Sequence, residues 1–229
     1  MKRLLVLCDD IWHPADVIEK GLDMLETEEL KLDFVRTAKD ILTPEMIAQY
    51  PLIFCCKGNT INAANTAPWF EKDVTEVGPK ELKEYVENGG TYVAVHAGSD
   101  VNPEWVPQEP KFYEEAKAYN ELVGCSFESH PPRCRMDVHN VAKDHPLMEG
   151  VTDFSERDEQ YHMKMLKEDY TLLMESTTEE GGTVPCGWMF PVGRGTVIVI
   201  TPGHTLAILK NPAYQQVFRN IIHEYLLKE

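Results

Sequence analysis

The stretch that decides the fold reads Tyr92-Val93-Ala94-Val95-His96-Ala97-Gly98-Ser99-Asp100. Four residues suited to a buried strand lead directly into a histidine, and the small residues after it permit a sharp turn. In a parallel sheet, ligands bind in the crevice outside the carboxyl ends of the strands. The stretch therefore predicts a parallel strand and presents His96 to that crevice, although a histidine that only bonds to backbone at a strand end is the structural alternative.

Strand and helix patterns alternate around this stretch. Apolar or alternating runs at 3–8, 31–36 and 52–56 predict strands, whereas apolar residues at helical spacing predict a helix within 17–25 and another over 80–88. This alternation implies parallel pairing with right-handed crossovers, and hence a doubly wound α/β sheet.

The second half of the chain is less regular. It predicts an edge strand over 133–138, further strands over 170–176, 185–190 and 196–200, and helices over 111–123 and 212–227. A long polar loop is expected between Gly58 and Pro79. Because no linker or repeat interrupts the pattern, we expect a single domain over residues 1–229.

The composition limits the classes of partner that are expected and indicates the cellular compartment. The 229 residues carry a formal net charge of −16, which argues against nucleic acid and membrane partners because these attract basic surfaces. A small ligand in a local pocket stays compatible with this charge. The six cysteines form no C-x-x-C pair, so reduced thiols in a cytoplasmic protein are the simplest interpretation.

Three residues are the candidates for catalysis: His96, Glu159 and His204. His204 follows a β-branched strand and Thr201-Pro202-Gly203, where the glycine allows a tight turn before the imidazole. Glu159 lies in an acidic segment that, if extended, places it on one face with Tyr161. The structural alternatives are a solvent-exposed turn histidine and a solvated acidic edge.

Four further residues are candidates for binding the substrate: His13, His130, Asp158 and Tyr161. His13 follows the first strand, and His130 lies on the rigid turn His130-Pro131-Pro132. Asp158 and Tyr161 flank Glu159 in the acidic segment, where a phenol beside a carboxylate suits proton transfer.

The catalytic candidates also form a candidate metal site. Neutral imidazoles with one carboxylate suit a divalent ion such as zinc, with a position left open for water. No H-E-x-x-H or other compact ligand spacing is present. A metal-free site with His96 as general base is therefore the preferred interpretation, and the metal site is the alternative.

Taken together, these motifs resemble the trehalose-utilisation (ThuA-like) family. The resemblance rests on the ordered set Val95-His96-Ala97-Gly98, Gly124 with His130-Pro131, His145-Pro146 with Gly150, Asp158-Glu159-x-Tyr161, Gly187-Trp188, Gly193-x-Gly195 and Pro202-Gly203-His204. It implies a flavodoxin-like three-layer sandwich similar to class I glutamine amidotransferases, with helices on both faces of a mainly parallel sheet. Those enzymes carry a nucleophilic cysteine where this chain has His96, so glutaminase activity is not expected.

The resemblance implies a role in carbohydrate utilisation and leaves three hypotheses open. The first is a hydrolase, lyase or isomerase that acts on a sugar or keto-sugar by acid–base or metal-assisted chemistry. The second is a non-catalytic sugar-binding or sensor protein, in which Trp12, Trp69, Trp105 or Trp188 stacks on the sugar, although core packing beside Phe190 is the preferred interpretation of Trp188. The third is a structural or subunit-interaction protein with a degenerate site. A homo-oligomer is compatible with all three.

Overall fold

The computed structural model describes residues 1–62 and 64–228. The strands in this part are β1 (Lys2–Leu7), β2 (Leu30–Val35), β3 (Leu52–Cys55), β4 (Thr60–Asn62), β5 (Asn65–Pro68), β6 (Thr91–Val95), β7 (Cys125–Ser129), β8 (Cys134–Asn140), β9 (Phe154–Asp158), β10 (His162–Met165), β11 (Thr171–Thr178), β12 (Gly182–Val192) and β13 (Gly195–Ile200). The helices are α1 (Ala15–Leu22), α2 (Ala38–Ile41), α3 (Pro44–Ile47), α4 (Pro79–Glu87), α5 (Pro110–Val123), α6 (Leu206–Leu209) and α7 (Pro212–Ile222). Short 3-10 turns and a terminal π-helical turn complete these elements. None of the helices described is both long enough and apolar enough to cross a bilayer.

A nine-stranded sheet organises the molecule in the order β2-β1-β3-β6-β13-β12-β11-β8-β9. The first five strands pair in parallel, and the remaining pairings are antiparallel. Since two successive antiparallel pairings restore the strand direction, β11 and β9 run the same way as the parallel strands. Only β12 and β8 of this sheet oppose them, so the predicted α/β fold with a mainly parallel sheet is confirmed.

Helices cover both faces of the sheet because the buried strands carry apolar side chains on both sides. Leu4 of β1 packs in the core beneath α1, α6 and α7, whereas its neighbour Leu5 packs in the core beneath α2 to α5. Successive side chains of a strand point to opposite faces, so an uninterrupted apolar run supplies two cores at once. This arrangement is the three-layer sandwich that the resemblance implied.

Two predictions about individual segments are wrong. The strand predicted over 133–138 is not at an edge, because β8 lies between β11 and β9, and β9 forms the edge instead. The segment from Gly58 to Pro79 is not only loop, since β4 and β5 form a hairpin in which the Asn62 side chain accepts a hydrogen bond from the Asn65 N–H. Trp69 in the same segment is fully buried and anchors it to the core.

The antiparallel half of the sheet curls back over the carboxyl edge of the parallel half. In a flat sheet β9 would lie about 19 Å from β13, four strand spacings away. The Asp158 Oδ2 atom at the end of β9 nevertheless lies 2.7 Å from the Gly203 amide nitrogen after β13. Irregularities in the β11–β12 register near Met174 accompany this curvature, as β-bulges commonly do.

Candidate active site

The carboxyl ends of β1, β6, β13 and β9 meet at one edge of the sheet and bring four titratable side chains together. We call them the histidine cluster: His13, His96, Glu159 and His204. One nitrogen or carboxylate oxygen of each residue lies within 4.8 Å of the corresponding atoms of the others. The three residues predicted for catalysis therefore converge, with His13 as a fourth member.

His96 is held rigidly at the turn after β6. Its backbone adopts a φ of 46°, and its side chain is buried. The carbonyl oxygen of Thr201 lies 2.7 Å from Nδ1 and can only accept a hydrogen bond, so Nδ1 carries the proton. In the neutral ring Nε2 is then unprotonated and faces the cluster. The turn requires Gly98, because a Cβ atom there would lie 2.1 Å from the carbonyl oxygen of Cys55.

The distances among three donor atoms are short and nearly equal. The Glu159 Oε2 atom lies 3.1 Å from His204 Nδ1 and 3.6 Å from His96 Nε2, and these two nitrogens are 3.3 Å apart. Burial opposes ionisation of Glu159, but the hydrogen bond from His204 and the proximity of His96 outweigh it and lower the pKa of the carboxyl group. The carboxylate is therefore ionised near neutral pH.

His13 is oriented by a carboxylate that the sequence analysis did not single out. The buried Asp10 side chain lies 2.8 Å from His13 Nδ1 and accepts the Gly58 N–H at 2.7 Å. Desolvation lowers the pKa of His13, although the hydrogen bond to Asp10 acts in the opposite direction. Since Nδ1–H donates to Asp10, Nε2 is the ring nitrogen that is available to bind a ligand. Asp10 was detectable as the second residue of Asp9-Asp10 after the first strand.

Tyr161 and His130 complete the surroundings of Glu159. The Tyr161 hydroxyl lies 2.9 Å from His96 Nε2, and the two rings stack with centroids 4.2 Å apart. Burial raises the pKa of Tyr161, and the nearby carboxylates raise it further, so the phenol stays protonated and donates a hydrogen bond to His96 Nε2. His130 Nε2 lies at the rim, 3.8 Å from Glu159 Oε2.

Asp158 differs from its predicted role in substrate binding. Its fully buried carboxylate accepts hydrogen bonds from the backbone N–H groups of Gly203, His204 and Thr205 at 2.7, 3.2 and 2.9 Å. The reason is the alternation that placed Glu159 on the other face, since the residue before it must point away from the crevice. The geometry gives Asp158 the role of positioning the loop that carries His204.

A cavity of about 740 Å³ opens over the cluster. We call it the histidine cavity; its lining includes His13, His204, Glu159, Tyr161, His130, Trp12, Trp105, Phe127, Asn59 and Asp100. Trp12 and Trp105 are exposed by 69% and 63%, whereas Trp69 and Trp188 are buried in the core. Of the four tryptophans proposed to stack on a sugar, only Trp12 and Trp105 are thus placed to do so. The sequence analysis did not identify two of the lining residues, Asn59 and Asp100, as site residues, although Asp100 ends the stretch that decides the fold.

The donor set fits a divalent metal ion. In a tetrahedral site with bonds of about 2.0–2.1 Å, donor atoms lie about 3.4 Å apart, close to the three separations among His96, His204 and Glu159. Metal-binding histidines usually donate their second N–H to a carboxylate or carbonyl, as His13 does to Asp10 and His96 does to Thr201.

Solved structures similar to this chain share its fold at low sequence identity. A ThuA-like protein from Bacteroides uniformis is 16% identical with a TM-score of 0.68, and the match covers 96% of this chain and 89% of that one. A cytoplasmic protein from Salmonella typhimurium is 15% identical with a TM-score of 0.64 and coverages of 98% and 99%. A β-galactosidase from Rahnella sp. R3 is 12% identical with a TM-score of 0.64, and the match covers 98% of this chain but 31% of the enzyme.

The family relationship comes from the sequence itself. No curated protein has a sequence that matches this chain significantly. The family described as trehalose utilisation (ThuA) matches residues 7–223, nearly the whole chain. The chain therefore belongs to the trehalose-utilisation (ThuA) family.

Proposed function

We propose that this chain is an enzyme of carbohydrate utilisation that performs metal-assisted proton transfer on a sugar or keto-sugar in the histidine cavity. The observation that carries the proposal is the set of separations of 3.1, 3.3 and 3.6 Å among the donor atoms of Glu159, His204 and His96. Family membership supports the carbohydrate role, and the exposed faces of Trp12 and Trp105 suit a sugar ring.

Under this proposal His96, His204 and Glu159 hold the ion, with His13 as a fourth candidate ligand. A zinc or similar ion bound there would supply Lewis-acid polarisation of a substrate carbonyl or hydroxyl. The acid–base work then falls to groups that line the same cavity. Because an Nε2 atom of His96 that held the ion could not accept the Tyr161 hydroxyl, the protonated phenol would be free to donate its hydrogen bond to the substrate. The ring nitrogen of His130 at the rim would accept or release a proton.

A metal-free version uses the same geometry. His96 Nε2 is the unprotonated nitrogen in the neutral ring and lies 2.9 Å from the Tyr161 hydroxyl, so it can act as the general base. A neutral imidazole nitrogen accepts a proton directly, so no ion is needed for this step. Metal content distinguishes the two versions.

The proposal excludes cysteine-dependent glutaminase chemistry. His96 occupies the turn after β6, where the amidotransferases carry their nucleophilic cysteine. Burial raises the pKa of Cys8 to about 12 and raises that of Cys55 above its ordinary value. A glutaminase requires an accessible thiolate at that turn. We also propose that the protein is cytoplasmic and that its partner is a small sugar rather than nucleic acid or a membrane; a homo-oligomer is compatible with this function.

The first experiment measures metal content. The purified chain, dialysed against metal-free buffer, is analysed for zinc and manganese beside Glu159→Gln and, as a matched control on the adjoining strand, Glu156→Gln. We expect about one ion per chain in the wild type and the control, and at least about tenfold less in Glu159→Gln, since a neutral amide binds such ions poorly. Equal retention by all three proteins would contradict the metal site.

The second experiment asks whether the protein turns over its ligand. Glucose, fructose and trehalose are incubated with the protein in D₂O, and proton NMR follows both product formation and exchange of carbon-bound protons. We expect the wild type to form product or to exchange a carbon-bound proton. The rate of that process should fall about 10²–10⁴-fold in His96→Ala. Ligand binding without turnover or exchange would favour the non-catalytic sugar-binding alternative.

A further inference from the structure

A second cavity of about 630 Å³ adjoins the histidine cavity. The two cavities share Asn102, Trp105 and Phe127 in their linings. The Trp105 and Phe127 rings meet edge to face with centroids 5.3 Å apart, and the Asn102 amide donates to the Phe127 carbonyl at 2.8 Å. These three residues form a common wall, which we call the Trp105 wall.

Asn120 of α5 lies at the second cavity, which we call the Asn120 cavity. Its side chain is 2% exposed, and within the described residues neither its amide nitrogen nor its amide oxygen has a hydrogen-bond partner. A buried amide with both atoms unpaired destabilises the fold. A ligand that bonded to both atoms would remove this penalty on binding, so the side chain points to a ligand with a hydroxyl group, which both donates and accepts.

The rest of the lining suits a neutral polyhydroxylated ring. The lining includes Lys117 and Lys164 as well as Glu104, Glu121 and Glu128, so its formal charges sum to about one negative charge. This balance disfavours a phosphate or carboxylate ligand. The Trp105 wall offers an apolar surface for a sugar face, and Ser126 adds another hydroxyl group.

The Trp105 wall also connects the Asn120 cavity with the histidine cluster. The Phe127 ring lies 4.6 Å from that of Tyr161, which in turn stacks on His96. A ligand that places one ring beside Glu159 and extends past Trp105 would therefore place its next ring near Asn120.

We propose that the Asn120 cavity is a second sugar subsite, so that the ligand is a glycoside of at least two rings, one in each cavity. This inference rests on the proposed function, because the first ring must occupy the histidine cavity. It identifies Asn120 as the residue that recognises the second ring.

Calorimetric titration of the full chain tests the proposal with one-ring and two-ring probes: methyl α-glucoside against trehalose, maltose and cellobiose. We expect at least one two-ring probe to bind about tenfold or more tightly than methyl α-glucoside. Asn120→Leu should abolish this gain and leave the affinity for methyl α-glucoside within about twofold. The variant should fold, because it replaces an unpaired amide with an apolar group of similar size.

A second variant approaches the cavity from another element. Ser126→Tyr on β7 fills the Asn120 cavity without altering Asn120, and tyrosine suits a strand. It should also abolish the higher affinity of the two-ring probes relative to methyl α-glucoside. Glu114→Leu, at an exposed position of the same helix as Asn120, is the control and should bind every probe as the wild type does.

The outcomes separate this inference from the proposed function. Equal affinity for one-ring and two-ring probes, or an unchanged gain in both variants, would overturn the second subsite and leave the histidine cavity as a single-ring site. Absence of binding by every probe would overturn both proposals.

Discussion

The two halves of the central sheet contribute to the candidate site in different ways. The parallel half (β2, β1, β3, β6 and β13) supplies His13, His96 and His204, each from the segment that follows a strand. The antiparallel half (β12, β11, β8 and β9) supplies Glu159 and, beyond it, Tyr161, and reaches the site only because it curls back. The imidazoles are thus placed by local strand–turn geometry, whereas the carboxylate depends on the curvature of the whole sheet.

The contact between the halves is polar and specific. Asp158, at the end of β9, accepts three backbone N–H groups of the loop that carries His204. A carboxylate with several N–H donors forms strong, charge-assisted hydrogen bonds. Disturbing the turn after β6 in the parallel half should therefore destabilise the fold most, whereas disturbing this contact should destabilise the fold less and also affect the assembly of the site.

The largest expected effect lies in the parallel half. Gly98→Ala should destabilise the protein by at least about 3 kcal/mol, because the new Cβ would lie 2.1 Å from the Cys55 carbonyl oxygen, a backbone atom of the adjacent strand. Urea unfolding measures this change. Gly78→Ala is the control: its Cβ would approach only flexible carboxylate side chains, so the loss should stay near about 1 kcal/mol, the cost of alanine at a helix N-cap. Similar losses in both variants would contradict the role assigned to the turn at Gly98.

The next effect lies at the contact between the halves. Asp158→Asn should cost about 2–3 kcal/mol in the free energy of unfolding, because an amide NH₂ faces backbone donors that a carboxylate accepted. It should also lower metal retention, since the loop that carries His204 loses its support. Asp153→Asn, an exposed position in the same half that accepts one backbone N–H, should cost less than about 1 kcal/mol. Wild-type stability and metal content in Asp158→Asn would show that the contact does not position the loop.

The smallest effect is a pH dependence in the parallel half. Desolvation lowers the pKa of His13 in the folded state. Below the unfolded-state pKa of about 6.5, the unfolded chain therefore binds a proton that the folded chain does not, and stability falls as the pH decreases. His13→Gln should reduce the slope of stability between pH 7 and 5 by up to about 1.4 kcal/mol per pH unit, as urea unfolding at several pH values would measure. His139→Gln, beside exposed Asp153, is the control; an unchanged slope in His13→Gln would contradict this origin.

The residues of the parallel half were predictable because each leaves a local signal. An apolar run followed by a histidine and small residues indicates a strand and a turn, and this pattern identified His96 and His204. The same pattern also indicates Asp10, which lies between the first strand and His13. Asp158 shows the limit: a carboxylate next to a predicted site residue was assigned to the substrate, although the alternation of the strand turned it toward the His204 loop.

By itself the sequence determined the α/β class, the parallel strands and the set of imidazoles at their ends, because hydrophobic periodicity and turn chemistry are local properties. Only the tertiary structure decided that β9 is the edge strand, that it curls to bring Glu159 within 3.1 Å of His204, and that a second cavity lies beyond Trp105. These features arise from sheet curvature and side-chain packing between residues distant in the chain, which no local pattern encodes.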